Sequence, residues 1–311
     1  MDKFRKEVIK ELENVFGDGY QVLPYDKLKN NETTLHGICI HNENERISPV
    51  LYLEEYVLPY AAGKMTVKEI AAEMLDKYCM GDMPRNIADH VEDFQMMKDR
   101  VRIKVINYGA NTRRLQQVPH RRFLDLAIVY YLDMDVSVEV GNVTIEIKNE
   151  LMERWNVSES DLYRIGMENM TVRDSLHSDE IIGKVREMLQ TQSCEEVEQT
   201  LKKFEEEAGP EAEIYLVSNK KRLFGACCLV NRPFLQELAE CTGSNLLIYP
   251  VSVTGVVACP VEKGNKNYLY VKEMQEINDC AENRVECLSN SIYLYDRVTR
   301  EISIYKEGAP L

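Results

Sequence analysis

An α+β fold in two lobes, each of mainly antiparallel strands and packed helices, follows from three features of this 311-residue sequence. Strand-like runs succeed one another across short polar turns, which builds hairpins and meanders in place of parallel crossover units. Helical stripes with well-formed start and stop signals stand between those runs. The chain also has the length at which single cores tend to split, and residues 176–208 are acidic and closed by Gly209-Pro210, a composition across which few contacts usually run. The expected layout is an N-terminal lobe over residues 1–175, an acidic helical connector over 176–208 and a C-terminal lobe over 209–311.

In chain order, residues 2–16 set Phe4, Val8, Leu12 and Val15 at helical spacing, with Gly17 and Gly19 to end the helix. Residues 20–23, 35–41 and 47–53 read as three strands joined by Lys29-Asn30-Asn31 and Asn42-Glu43-Asn44, with Pro49 favouring an edge or bulge. Thr66 and Glu69 have the spacing of a capping box, and Val67, Ile70, Ala71, Met74, Leu75 and Tyr78 form the stripe of the helix they open. A more polar helix over 86–98 and a strand over 101–106 (VRIKVI) follow.

The longest apolar run, FLDLAIVYYL over residues 123–132, predicts one buried strand ended by Asp133 and Asp135. Gly141-Asn142 is a two-residue hairpin signal, so residues 143–147 should return antiparallel to it. Asn149 is placed to cap a short helix to Trp155, and Ser158 with Asp161 to open a second one to about Asn169. Residues 179–190 and 193–207 read as charge-rich helices. Beyond them, 214–217 and 223–230 read as strands around Asn219-Lys220-Lys221. Asn231 caps a helix with Pro233 in its first turn and Gly243 past its end. Residues 246–251 and 255–261 are strands, 270–287 mainly helix, and 291–295 with 301–305 a terminal hairpin.

The blocks PHRRFLDLAIVYYL and VTIEIKNELMERWNVSESDLYRIGMEN resemble a domain-of-unknown-function family common in anaerobic Gram-positive gut bacteria. The likeness extends through NNETTLHGICI, ISPVLYLEEY and residues 66–78, and through FGACCLVNRPFLQELAECTGSNLLIYPVS and NSIYLYDRVTREI, in fixed order over nearly the whole chain. It implies the domain layout and a bacterial cytoplasmic compartment, and it assigns no catalytic residue. Members of that family often carry a His-Glu pair shortly after the strand that here reads LLIYPVS, where this chain has Thr254 and Gly255.

A net charge of −14 opposes nonspecific nucleic-acid binding, because the phosphate backbone rewards the opposite sign. No apolar segment is long enough for a membrane span and the N-terminus reads as an amphipathic helix, so a cytoplasmic location and no membrane partner are expected. Nine cysteines, an odd number without a C-x-x-C pair, are read as reduced thiols. Phosphate loops, nucleophile elbows and zinc-protease motifs do not occur, and no cofactor is implied.

Three constellations remain. Asp133 and Asp135 alternate after a hydrophobic strand, as in phosphotransfer sites where one aspartate attacks and the other acts as acid/base beside magnesium; the competing reading is a turn in which Asp bonds to backbone. Cys39 and His41 share a strand face, with His36 on the opposite one. Two residues do not complete a zinc site, though a Cys-His nucleophile pair is conceivable against the commoner buried, inert thiol. Arg113, Arg114, His120, Arg121 and Arg122 are the one basic concentration, suited to a carboxylate or phosphate unless neighbouring acids neutralise them. No complete catalytic constellation appears. The leading expectation is therefore a non-enzymatic binding or regulatory module for a small anionic ligand or an acidic partner segment. The alternatives are a metal-assisted phosphohydrolase using Asp133 and Asp135, and a ligand-free scaffold that self-associates through the acidic connector.

Overall fold

The computed structural model describes residues 1–17, 19–42, 50–80, 90–138, 141–173, 176–180, 213–261 and 285–306, together with the isolated positions Gly183, Glu187, Glu198, Gln199 and Lys202. The expected turn at 43–44, the first residues of the strand over 47–53 and of the helix over 86–98, nearly all of the connector helices and most of the helix over 270–287 lie outside the described residues.

Helix α1 (Asp2–Phe16) buries Phe4, Val8 and Leu12, while Val15 on the same expected stripe stays 47% exposed. It packs against β1 (Tyr20–Leu28), the first strand of an antiparallel sheet completed by β2 (Thr34–Asn42) and β3 (Val50–Tyr52). Helices α2 (Glu54–Ala61) and α3 (Val67–Met80) close this core, in which Val22, Ile38, Ile40, Tyr56, Ile70 and Met74 meet α1. The capping box forms: the Glu69 carboxylate accepts from the Thr66 N–H and hydroxyl, both at 2.8 Å, and Thr66 Oγ1 accepts from the Glu69 N–H at 3.3 Å.

The central sheet is built on β6 (Leu126–Val138), flanked on one edge by β4 (Val101–Asn107) and on the other by β5 (His120–Phe123) and then β7 (Gly141–Glu146). All pairings are antiparallel. The run FLDLAIVYYL is not one strand. Leu124 takes a left-handed conformation (φ 55) and the chain folds back so that Phe123 faces Leu126. That turn is fixed from afar: the Asp125 carboxylate accepts from the Ser289 hydroxyl at 2.5 Å and the Tyr293 hydroxyl at 2.7 Å. Nor does β6 stop at Asp133 and Asp135, because β7 keeps pairing with it as far as Val138 opposite Gly141. Gly141-Asn142 therefore belongs to the returning strand.

Short helices α4 (Phe94–Met97), α5 (Thr112–Leu115) and α6 (Asn149–Arg154) and the longer α7 (Glu159–Arg173) accompany this sheet, with α7 packed on β4. Asn149 does not cap α6. Lys148 holds the cap position, and the Asn149 amide donates to the Gln116 carbonyl at 3.0 Å. Asp161 accepts from the Ser158 N–H at 3.0 Å and hydroxyl at 2.6 Å, as its spacing predicts.

A six-stranded antiparallel sheet in the order β13-β12-β10-β11-β9-β8 follows, made of β8 (Leu176–Glu180), β9 (Tyr215–Asn219), β10 (Asn245–Ser252), β11 (Gly255–Val261), β12 (Tyr293–Asp296) and β13 (Glu301–Ile304). Asp179 and Glu180, expected to begin a helix, instead pair with Leu216 and Tyr215. Residues 225–230, expected as strand, form a buried 3₁₀ segment, Gly225–Val230. Helix α8 (Arg232–Thr242) is capped by the Asn231 side chain, which accepts from the Phe234 N–H at 3.1 Å, and stops at left-handed Gly243.

The fold is α+β. One buried cluster unites the central sheet and α7 with the C-terminal sheet, taking Ile103, Tyr130 and Leu162 together with Val217, Cys228, Leu238 and Tyr293. Asparagines tie the N-terminal sheet to both. Asn30 and Asn31 donate to the carbonyls of Val285 (2.8 Å) and Cys287 (2.7 Å), Asn107 to that of Leu288 (3.1 Å), and Asn111 to the Asn31 side chain (3.0 Å). Among the described residues no helix is long and apolar enough to cross a membrane.

Candidate functional site

Strand geometry divides the basic concentration. Alternation along β5 sends Arg121 to one face of the central sheet and His120 and Arg122 to the other. Arg121 grips the Glu159 carboxylate through Nε at 3.2 Å and Nη2 at 2.9 Å, with its guanidinium 4.1 Å from the Tyr163 ring centre. The buried Tyr130 hydroxyl donates to the same carboxylate. Arg122 is exposed, donates to the Leu124 carbonyl at 3.2 Å and lies 4.8 Å from the Tyr108 ring centre. His120 Nδ1 lies 3.1 Å from the Val118 carbonyl oxygen, and Arg113 is exposed with its backbone N–H on Glu32. The five residues therefore do not converge on one pocket.

Arg121 and Arg122 should separate experimentally. Arg121→Ala leaves Glu159 without its guanidinium partner and should cost about 1–3 kcal/mol, whereas Arg122→Ala should stay within about 0.5 kcal/mol of the parent. Urea denaturation of both variants reads the difference, and equal costs would contradict the division of faces.

Only Arg114 leads to a further cluster. Its Nε donates to Glu146 Oε1 at 2.9 Å, while Nη1 is buried and has no hydrogen-bond partner among the described residues. Within electrostatic reach lies Lys104, in the middle of β4 and in register with Val129 and, across it, His120. Lys104 is only 9% exposed, and its ammonium rests 3.9 Å from the centre of the Phe224 ring. Lys29 joins from the end of β1, its ammonium 4.6 Å from the Tyr52 ring centre. Glu54, whose Oε1 accepts from the His36 N–H, keeps Oε2 buried and without a partner among the described residues.

The electrostatics follow from this arrangement. Burial pushes Lys104 down to about 7, with Arg114 and Lys29 adding to the shift and Glu146 opposing it. Lys29 is lowered by burial and by Arg114, against Glu146 and Glu54. Three basic side chains thus lie within electrostatic reach of two carboxylates, Glu146 and Glu54. Phe224, from the loop after β9, lies against the Lys104 ammonium and also meets Tyr131 edge-on at 4.9 Å. That loop holds two left-handed non-glycine residues, Arg222 (φ 50) and Phe224 (φ 52). It is tied down by the Asn219 side chain, which bonds Leu223 in both directions at 2.8 and 3.0 Å, and by Lys221 on Asp133 at 2.7 Å.

Sequence reasoning missed Lys29 and Lys104. VRIKVI reads as a strand with one wet face, and only the chain segments laid over that face bury Arg102 and Lys104. A cation in a strand beside the most apolar run was the available signal.

The other candidates have simpler surroundings. Asp133 is buried and its carboxylate is engaged by Lys221, while Asp135 lies in β6 with its side chain outside the description. Cys39 and His41 share one face of β2; His36, on the other, places Nδ1 2.8 Å from Asp26 Oδ1. Among the described residues no three His, Cys, Asp or Glu side chains gather as metal ligands.

Among protein-family models, one described as a family of unknown function (DUF5688) matches residues 1–297. No curated protein and no solved structure matches the chain.

Proposed function

The chain belongs to this family of unknown function, and from that premise we propose that it is a binding module for a small carboxylate or phosphate anion, held where Lys29, Lys104 and Arg114 meet. The observation that carries this reading is the gathering of one buried and two half-buried basic side chains from three separate parts of the chain, with Arg114 Nη1 buried and without a hydrogen-bond partner among the described residues. Burying cations without matching anions is costly, and a fold retains such a cost where a ligand offsets it. Sites of this kind favour junctions between structural units, and Lys29 follows β1, Lys104 lies in β4 and Arg114 in α5.

The test is the thermal stability of the full chain in inorganic phosphate, acetate and lactate, each against sodium chloride of matched ionic strength. Binding to the native state alone adds about 2.7 kcal/mol at a hundredfold excess over Kd. At least one anion should raise Tm, and the rise should vanish in Lys104→Met and Arg114→Met. If no anion shifts the parent, or if the variants shift as the parent does, the reading fails.

A further inference from the structure

Resting on that anion site, we propose that Lys104 binds its ligand covalently, as an imine, and that the ligand class is a small aldehyde or ketone carrying a carboxylate or phosphate. Three features of the structure lead there. The Lys104 ammonium has an aromatic ring, not a carboxylate, as its described contact. Arg114 and Lys29 are basic groups within electrostatic reach of Lys104, able to attract the anionic tail of a ligand whose carbonyl meets Nζ. Phe224 lies over the amine on a loop whose left-handed Arg222 and Phe224 carry backbone strain, a feature that clusters at ligand-binding sites.

The chemistry balances without an oxidant or a second reactant. The neutral amine adds its lone pair to the carbonyl carbon as the C=O π pair moves to oxygen. The resulting carbinolamine loses that oxygen as water together with the two amine hydrogens, leaving a C=N bond to Nζ. Covering the site with a phenyl ring excludes bulk water and favours the dehydrated product. Holding the amine near neutrality supplies the nucleophile, as for other lysines desolvated beside a second cation. At pH 7 an amine held at about 7 is on the order of 10³ times richer in its neutral form than an ordinary lysine.

The experiment treats the full-length protein with pyruvate or pyridoxal phosphate at pH 7, with lactate as the anion that lacks a carbonyl, adds borohydride, and maps adducts by peptide mass. Borohydride delivers hydride to the imine carbon and solvent a proton to nitrogen, which fixes the bond. One reduced adduct at Lys104, exceeding the mean of the other lysines by on the order of 100-fold, is expected. Lys104→Arg should abolish it. Should Lys104→Arg fail to fold, mapping on the parent still decides. Stabilisation by lactate and pyruvate alike, with no adduct at Lys104, would overturn the imine while leaving the anion site standing. Adducts spread evenly over surface lysines would overturn it as well. Neither stabilisation nor adduct would remove the anion site and the imine together.

Discussion

Replacing Gly225 by alanine should destabilise the fold by about 3–5 kcal/mol, one of the largest losses expected from a single methyl group in this chain. A Cβ there would stand 2.2 Å from Ser218 Oγ, 2.6 Å from the Thr254 carbonyl oxygen and 2.8 Å from the Asn219 backbone nitrogen. Two of these are main-chain atoms of adjoining segments and cannot rotate away. The third donates to the Thr254 carbonyl at 2.6 Å, so the intruding carbon also breaks a bond that ties β9 to the β10–β11 turn. Gly166→Ala is the matched control. Its Cβ would meet Ile103 Cγ1 at 2.7 Å and Cδ1 at 3.2 Å, side-chain atoms where Gly225 meets main chain, and alanine gains about 1 kcal/mol of helix propensity in α7. Urea midpoints of the two variants measure the contrast, and a Gly225→Ala midpoint equal to the parent's would refute the packing described.

Lys104→Met should stabilise the protein, by about 2–4 kcal/mol at pH 6, because the parent must bury a charge that the unfolded chain keeps in water. Below about 7 the lysine is protonated in both states and the full cost is present. Between about 7 and 10.5 the unfolded chain binds the extra proton, so stability rises with pH at about 1.4 kcal/mol per unit. Burial, with Arg114 from α5, Lys29 just after β1 and Glu146 from β7, sets where the rise begins. Thiols act in the opposite sense at higher pH. Burial pushes Cys228 and Cys259 up to about 12 from a usual 9, so the unfolded chain releases protons first and stability falls above 9. The parent should therefore be most stable near pH 9, whereas the methionine variant should lack the rise from 7 to 9. A parent profile flat over that interval would show that Lys104 is not buried as a cation. A gain in stability on removing a charged group is the mark of a residue kept for something other than folding.

Local signals in the sequence were legible where local chemistry decides. Thr66 with Glu69, Ser158 with Asp161, Asn231 and Gly243 all do what their spacing implies, because each bond spans three or four residues. The misread elements share a different cause. FLDLAIVYYL breaks at Leu124 because Asp125 is held by Ser289 and Tyr293, more than 160 residues away in sequence. FGACCLV coils as 3₁₀ because Gly225 must fit against Ser218 and Thr254. The candidate site was half visible for the same reason. Arg114 stood out as one of several neighbouring basic residues, yet Lys104 and Lys29 join it only through the packing of distant segments.

The asparagine ties also bear on how the chain is made. Residues 4–74 contain a complete apolar core and can condense as soon as they leave the ribosome. Asn30 and Asn31, however, must wait for carbonyls 255 and 256 positions downstream. Until Val285 and Cys287 arrive, these amides are satisfied by water, and the early core is held to the rest by fewer bonds. Vectorial synthesis thus meets a delayed latch in this fold. Pulse proteolysis of nascent chains stalled before residue 285 should find the early core protected and its junction with β4 open to cleavage.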